Sequence, residues 1–415
     1  MVNRVAITGI GIICGVGQNK KEVWKNILEG KSGISNIEQF DTKDIPIKIA
    51  GEVKNFKLSE EVLAAKEHDR YDRFIHFAMH ATMEAMQDAK LLDTTHYKQE
   101  RMGAIMGVGI GGFPEMERTH KIFLEKGARR VSPFFIPSMI PNMASGLASI
   151  RFNLKGLNYT VSSACASAAH AITAASYEIM FGRQDVMVAG GAESVLSSVP
   201  ISGFASMKAL SKRNEEPHRA SRPFDIDRDG FVMGEGAGII ILENLEKAKA
   251  RGATIYAEIV GHGATSDAHH ITAPHPEGEG ACRCMQMSLE TAGITPDQVG
   301  YVNAHGTSTP LGDLGETNAI KKTFGAHAKN LFVSSTKSMT GHLLGASGGI
   351  ETIFCALALH EGILPPTINL ENQDPACDLD YVANKPKKIQ VDYALNNSFG
   401  FGGTNSSLIL KRYKD

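Results

Sequence analysis

Four side chains are of types that together could make and break thioester bonds: Cys165, His305, Lys337 and His342. Cys165 follows the apolar run Tyr159-Thr160-Val161-Ser162-Ser163 and opens a small-residue helix, Ala166-Ser167-Ala168-Ala169-His170. A strand that breaks into a helix there presents the thiol to unpaired N–H groups and the positive end of the helix dipole. The expectation is a thiol that loses its proton readily, each unit of pKa lowering being worth about 1.4 kcal/mol. One cysteine alone is better read as a buried structural residue, and only suitable partners would make it reactive. Val302-Asn303-Ala304-His305 reads as a strand ending in histidine, followed by the polar loop Gly306-Thr307-Ser308-Thr309. Lys337-Ser338-Met339-Thr340-Gly341-His342 supplies a lysine and a second histidine at another expected strand end. Alone, His305 is as readily structural as catalytic. Together the four suit a thiolate that accepts an acyl group covalently and imidazoles that hydrogen-bond a carbonyl oxygen as charge develops on it.

Distant segments can meet only if the fold brings them together, and the sequence offers a means. Short β-branched runs alternate with helical patterns such as 74–90 and 280–293, the signature of an α/β chain with buried strands. Val5-Ala6-Ile7-Thr8-Gly9-Ile10-Gly11 echoes Ala257-Glu258-Ile259-Val260-Gly261-His262-Gly263. Val161-Ser162-Ser163-Ala164-Cys165 is matched by Val333-Ser334-Ser335-Thr336-Lys337, and each leads toward an Ala-Ser pair, at 166–167 and 346–347. These echoes predict an internal duplication with its seam near Ala250-Arg251-Gly252, giving halves 1–252 and 253–415. A pseudo-twofold axis between the halves would bring the Cys165 corner to face the Lys337 and His342 corner.

Composition narrows the classes. The 415 residues are 42% hydrophobic and 21% charged, ordinary for a globular chain, and the net charge of −2 points to neither nucleic acid nor an anionic membrane. No stretch approaches the roughly 18 apolar residues of a membrane span. The N-terminal run lacks the charged n-region and cleavage site of a signal peptide, and the six cysteines form no disulfide framework, so a cytoplasmic protein with reduced thiols is expected.

Several motifs are set aside. Gly107-Val108-Gly109-Ile110-Gly111-Gly112 fits a dinucleotide fingerprint, but Phe113-Pro114 follows where a helix should open at once. Asp225 to Gly230 starts like a calcium loop, yet the closing acid, Glu235, falls one place early. Gly345-Ala346-Ser347-Gly348-Gly349 matches a hydrolase elbow without the preceding strand. His269, His270 and His275 read as loop histidines rather than metal ligands, and Cys282-x-Cys284 is too tight for a zinc knuckle.

The ordered set Ser163-Ala164-Cys165, Arg222-Pro223-Phe224-Asp225, Gly234-Glu235-Gly236-Ala237, Asn303-Ala304-His305-Gly306-Thr307, Lys337 to His342 and Asn397-Ser398-Phe399-Gly400-Phe401-Gly402-Gly403-Thr404-Asn405 resembles the β-ketoacyl-acyl carrier protein synthases of the thiolase superfamily, the elongating type II group most closely. The resemblance runs from Arg4 to the C-terminus. It implies a thiolase-like duplicated αβαβα layered fold, two pseudo-twofold-related halves with mixed five-stranded sheets. It also implies decarboxylative condensation of malonyl carrier protein with an acyl chain held on Cys165.

By the same resemblance, His305 and His342 would hold the malonyl thioester carbonyl as neutral Nε2–H donors, and Lys337 would order the site. The N–H groups of Cys165 and Phe401 would form a second oxyanion hole, with Phe401 a gatekeeper between Gly400 and Gly402. Thr272, Thr307 and Thr309 match pantetheine contacts, Ala273 departs from a common serine beside Pro274, and Ile110 matches the residue bounding acyl length. Asp313 and Glu316 match a structural acidic pair. Asn303, Glu351, Asn396 and Asn397 resemble a monovalent-cation site, with Asn396 departing from serine. No cofactor is implied, since phosphopantetheine arrives on the carrier protein.

Partners follow likewise: acyl carrier protein, docking on Lys66, Arg70, Lys126, Arg129, Arg130 and Lys208, and a second copy in a homodimer. Asp69 stands where relatives carry a base. A thiolase would need a second catalytic cysteine near the C-terminus, and none follows Cys377. A free-standing polyketide ketosynthase and a non-catalytic chain-length partner are the alternatives, the latter disfavoured by Cys165.

Overall fold

The computed structural model describes residues 2–93 and 95–414. Ten strands carry the architecture: β1 (Val5–Cys14), β2 (Met102–Gly107), β3 (Asn158–Val161), β4 (Val186–Glu193), β5 (Gly236–Asn244), β6 (Ala257–Ser266), β7 (Tyr301–Asn303), β8 (Phe332–Ser334), β9 (Tyr393–Gly400) and β10 (Thr404–Lys411). They form one sheet in the order β8-β7-β9-β10-β6-β1-β5-β4-β2-β3. Read outward from the centre, both halves repeat one scheme. β1 runs antiparallel to β5 and β5 to β4, after which β2 and β3 add in parallel. β6 runs antiparallel to β10 and β10 to β9, after which β7 and β8 add in parallel.

The two mixed five-stranded units that the resemblance implied are both present, and they join edge to edge into one sheet. Val5, Ala6 and Ile7 of β1 pair antiparallel with Ile259, Glu258 and Ala257 of β6. The two strands that echo each other in sequence are therefore the two that meet. Each would otherwise present an unpaired edge in the interior, and pairing satisfies those backbone groups.

The principal helices that flank or serve this sheet are α1 (Arg73–Asp88), α2 (Phe113–Lys126), α3 (Ser167–Met180), α4 (Glu279–Ala292), α5 (Pro310–Phe324) and α6 (Ser347–Glu361). α1 packs on β1 and β5, and α4 on β6 and β10, as outer layers. α3 and α6 touch each other and strands of both halves, making a central layer. Their composition suits that place. Every residue of α6 from Ser347 to Leu359 is buried, and a helix that is apolar or small on all sides can only be an interior helix. β1, β4 and β5 are buried along their whole length, as continuous Ile-, Val- and Ala-rich runs require when helices cover both faces.

The motifs set aside take structural roles. The N–H groups of Gly109, Ile110 and Gly111, which a dinucleotide fold would turn to phosphate, donate to the buried carboxylate of Glu193 at the end of β4. Gly345 N–H donates to the same carboxylate. Side chains are excluded from this junction, because a Cβ on Gly345 would lie 2.2 Å from the Gly109 nitrogen. Asp225 accepts the N–H groups of Asp227, Glu371 and Asn372 and pairs with buried Arg222 at 3.0 Å, so its loop is a turn fastened from within. All six cysteines are free, and no group of three or more His, Cys, Asp or Glu side chains that could hold a metal ion occurs among the described residues. No helix among them is long and apolar enough to cross a membrane.

Candidate active site

β3 ends at Val161 and α3 begins at Ser167, so the chain reverses over five residues. Ala164 accomplishes this with φ of +49°, a left-handed conformation that costs an L-residue roughly 1–2 kcal/mol. Two hydrogen bonds hold it: Ser163 N–H donates to Ser167 Oγ at 2.9 Å, and Ser167 Oγ donates to Ala164 O at 2.7 Å. Cys165 is thereby placed one residue before the helix cap, with its side chain at the floor of a cavity of about 610 Å³.

The equivalent corner behind β8 lies opposite. His342 Nε2 is 3.0 Å from Cys165 Sγ, and the His305 and His342 rings meet edge to face with centroids 5.3 Å apart. Lys337 is buried and donates to Glu351 on α6. Lys337 opens a single helical turn, Lys337–Thr340, and His342 stands in the loop beyond it, bridged to Met233, rather than at a strand end. His305 is placed by Glu316 of α5, whose carboxylate accepts the N–H groups of His305 and Gly306 at 2.9 and 2.8 Å. Asp313, one turn earlier, accepts the N–H groups of Phe224 and Ser308. The acidic pair thus shapes the loop that follows β7.

Electrostatics correct one expectation. Burial pushes the Cys165 thiol up to about 12, opposed by the Lys337 charge and by the N–H groups of Phe401 and of Cys165 itself. Cys165 does immediately precede the cap of α3, but in an enclosed site the loss of water outweighs any help from the helix. Both histidines are driven well below the usual imidazole range by burial, with the Lys337 ammonium adding to the effect. They are therefore neutral near pH 7 and each has one N–H to donate.

The cavity gathers most of the remaining candidates. Ile110, Thr272, Ala273, Pro274, Thr307 and Thr309 line it, and the Thr307 and Thr309 hydroxyls are 3.0 Å apart. Phe401 lines the cavity with Cys165, and its backbone N–H faces the thiol. Its ring lies tilted against Phe204 at 6.2 Å, Phe204 meets Phe231 at 5.5 Å, and Phe231 meets His342 at 5.4 Å. The flanking glycines serve distinct needs: a Cβ on Gly400 would lie 3.0 Å from the Cys165 nitrogen, and Gly402 adopts φ of +86° while donating to Ile271 O. Lys208 is exposed at the mouth. Lys66, Lys126, Arg129 and Arg130 are exposed away from the cavity lining, whereas Arg70 is half-buried, paired with Glu67 and stacked on Phe134 at 4.6 Å.

Three buried oxygens lack a hydrogen-bond donor: Glu351 Oε2, on the carboxylate that pairs with Lys337, and Asn303 Oδ1 and Asn396 Oδ1, on residues that are register partners in β7 and β9. That all-oxygen set fits a monovalent cation. Asn397 does not join it through its side chain, because its Oδ1 accepts from Ser407 and its amide donates to Glu316.

Two participants escaped the sequence reading. Glu193 ties the Ile110 loop to the loop after His342. Ser347, rejected as a nucleophile, lies with its hydroxyl 2.8 Å from His342 Nδ1. The signal for Glu193 was present, an acid ending an otherwise apolar strand beside a run of free N–H groups.

Known proteins resemble this chain along almost its whole length. Residues 2–248 match the family described as Beta-ketoacyl synthase, N-terminal domain, and residues 256–371 match Beta-ketoacyl synthase, C-terminal domain. The 3-oxoacyl-[acyl-carrier-protein] synthase 2 of Synechocystis sp. is 50% identical over 411 residues, covering 99% of this chain and 98% of the relative. That of Coxiella burnetii is 49% identical over 412 residues, covering 99% of each. Among solved structures, a beta-ketoacyl synthase from Burkholderia phymatum superposes with a TM-score of 0.92 at 36% identity, covering 99% of this chain and 100% of that one. A type II polyketide ketosynthase, solved with its acyl-carrier protein and a hexaketide, gives 0.92 at 33% identity with full coverage of both.

Proposed function

The chain belongs to the beta-ketoacyl synthase family and is a condensing acyltransferase of type II fatty acid elongation; we propose that its chemistry is divided between the two corners, with Cys165 holding the acyl chain and His305 and His342 activating malonyl carrier protein. The observation that carries this division is the 3.0 Å approach of His342 Nε2 to Cys165 Sγ, which joins the two halves at one point.

In the first half-reaction Cys165 sulfur attacks the thioester carbonyl of acyl carrier protein. The oxyanion forms within reach of the Cys165 and Phe401 N–H groups, and the pantetheine sulfur leaves with the thiol proton. The buried thiol is held protonated until substrate arrives, which limits wasteful alkylation or oxidation. In the second half-reaction the malonyl thioester carbonyl oxygen lies between His305 and His342. Loss of carbon dioxide places the carboxylate's bonding pair on the enolate, whose oxygen both imidazoles hydrogen-bond. The enolate carbon then attacks the acyl carbonyl to form the new carbon–carbon bond, and as the tetrahedral intermediate collapses the Cys165 sulfur leaves with the C–S bonding pair and takes a proton from solvent, restoring the thiol. Donors fixed before charge develops need no reorganisation during the step, which is why such sites gain roughly 3–4 kcal/mol from one donor.

Lys337 holds Glu351 and contributes positive charge beside the sulfur. A monovalent cation, if bound, would be held by Asn303, Glu351 and Asn396 and would supply positive charge behind the site. Thr272, Thr307 and Thr309 receive the pantetheine arm, so the protein itself needs no cofactor, and Ile110 bounds the acyl pocket. Acidic carrier protein approaches over Lys208, with Lys66, Arg70, Lys126, Arg129 and Arg130 as further contacts. A second copy pairs along the outer edge of β3, where Leu157 and Tyr159 are exposed beside Ile150. The compartment is the cytoplasm.

The test mixes the protein with acyl and malonyl carrier proteins and follows both by mass spectrometry. The expected result is S-acylation at Cys165 and release of 3-oxoacyl carrier protein, both lost in Cys165→Ala. Undiminished condensation by that variant would overturn the assignment.

A further inference from the structure

Ser347 is the first residue of α6, 1% exposed, and its hydroxyl lies 2.8 Å from Nδ1 of His342, itself 3% exposed. A serine hydroxyl carries one proton and can donate or accept. Among the described residues this hydroxyl has no other hydrogen-bond partner. Were it to accept from a protonated Nδ1, its own O–H would be buried and unmade, the more costly arrangement. It therefore donates, and Nδ1 accepts with its lone pair. A neutral imidazole then carries its single proton on Nε2, the atom that faces Cys165 Sγ.

His305 differs. Its Nδ1 is buried with no partner, so no protein group dictates its tautomer. The duplication makes the contrast sharper. Ser167, the first residue of α3 and the counterpart of Ser347, is occupied with the backbone of its own turn, accepting from Ser163 N–H and donating to Ala164 O. Ser347 makes neither bond and is free to serve the histidine.

We propose that Ser347 is a positioning residue that locks His342 as the Nε2–H donor, leaving His305 as the histidine able to exchange tautomers during the reaction. This rests on the division of labour proposed above. The two histidines thereby cease to be equivalent: one is a fixed donor to the enolate oxygen, and the other adapts to its ligand.

The test compares wild type, Ser347→Ala and Ser347→Thr, each labelled with ¹⁵N-histidine, with His342→Gln used to assign the resonances. Wild type should show an unprotonated Nδ1 and a protonated Nε2 at His342, and Ser347→Ala a mixture of tautomers. Ser347→Ala should also lower kcat for condensation on the order of tenfold, the scale of one lost hydrogen bond, with KM for malonyl carrier protein and S-acylation of Cys165 little changed. Ser347→Thr, which keeps the hydroxyl, should restore both spectrum and kcat. Ser347→Ala with wild-type nitrogen shifts overturns the proposal, whatever its rate. So does a fall in kcat that accompanies unchanged shifts and persists in Ser347→Thr, since that marks packing. If wild type itself fails to condense, the functional reading falls, and the nitrogen spectra still decide the role of Ser347.

Discussion

The two strand-to-helix corners at the centre of the molecule start from the same Val-Ser-Ser and finish in different chemistry. Behind β3 the chain turns at once through a left-handed Ala164, and α3 begins at Ser167. Behind β8 the corresponding Thr336 is ordinarily helical, with φ of −70°, and residues 338–346 intervene before α6 begins at Ser347. The abrupt turn presents one atom, the sulfur. The longer one has room for a buried ion pair and a histidine. Duplication thus supplied two matching frames, and the chemistry arose where they ceased to match.

The ion pair is the sharpest difference, because the Cys165 position has no charge to neutralise. Replacing Lys337 by Met leaves Glu351 buried without its partner, and the expected loss of stability is about 3–5 kcal/mol by denaturant unfolding. The double variant Lys337→Met/Glu351→Leu should recover most of it. The pH dependence provides an independent check. Burial raises the Glu351 carboxyl to about 7, against the pull of Lys337. A carboxyl raised in the native state binds its proton more tightly there than when unfolded, so its stabilising contribution is complete below about 4.5 and is lost as pH rises through about 7. Without Lys337 the carboxyl rises further. The deficit of Lys337→Met should therefore be greatest above pH 7 and shrink on acidification toward 4.5. A deficit independent of pH would assign it to packing of the lysine stem instead.

This comparison also explains what the sequence could and could not reveal. Cys165, His305, Lys337 and His342 were legible because each sits at a punctuation mark, where an apolar run gives way to small or polar residues. The repeated Val-Ser-Ser disclosed that two such marks are equivalent. Ser347 was visible only as part of a false hydrolase motif, because its hydrogen bond depends on a loop that carries His342 back to it. Glu193 was hidden by distance, its partners lying some eighty residues earlier in the chain. The direction of the Cys165 pKa was misjudged for the same kind of reason: a helix terminus is local and readable, whereas desolvation depends on everything packed around it. The joining of the half-sheets through β1 and β6 is likewise a tertiary fact, since nothing in a buried strand's composition says which edge it pairs.

The paired serines give the next test. Ser167→Ala removes both hydrogen bonds that hold the strained Ala164 turn, and it should cost about 2 kcal/mol in unfolding free energy at about 1 kcal/mol for each bond. If Ser167→Ala leaves stability unchanged, the turn is held by packing alone and the two corners differ less than their hydrogen bonds indicate.

The smallest effect should have the opposite sign. Thr336 stands where the first corner has Ala164, and its Oγ1 is buried without a hydrogen-bond partner. A β-branched residue could not take the left-handed conformation that Ala164 needs, whereas at φ of −70° it meets no such obstacle. The second corner is therefore free to carry a threonine, but its hydroxyl is desolvated to no purpose that the packing shows. Thr336→Val replaces that hydroxyl by a methyl group of the same shape and removes an unmet donor. The expected gain is about 1 kcal/mol in stability with the fold unchanged, measured as a rise in the denaturant midpoint at constant slope. A loss of stability would mean that the hydroxyl is hydrogen-bonded in solution, by a water or an ion beside Lys337, and that the second corner is as fully satisfied as the first.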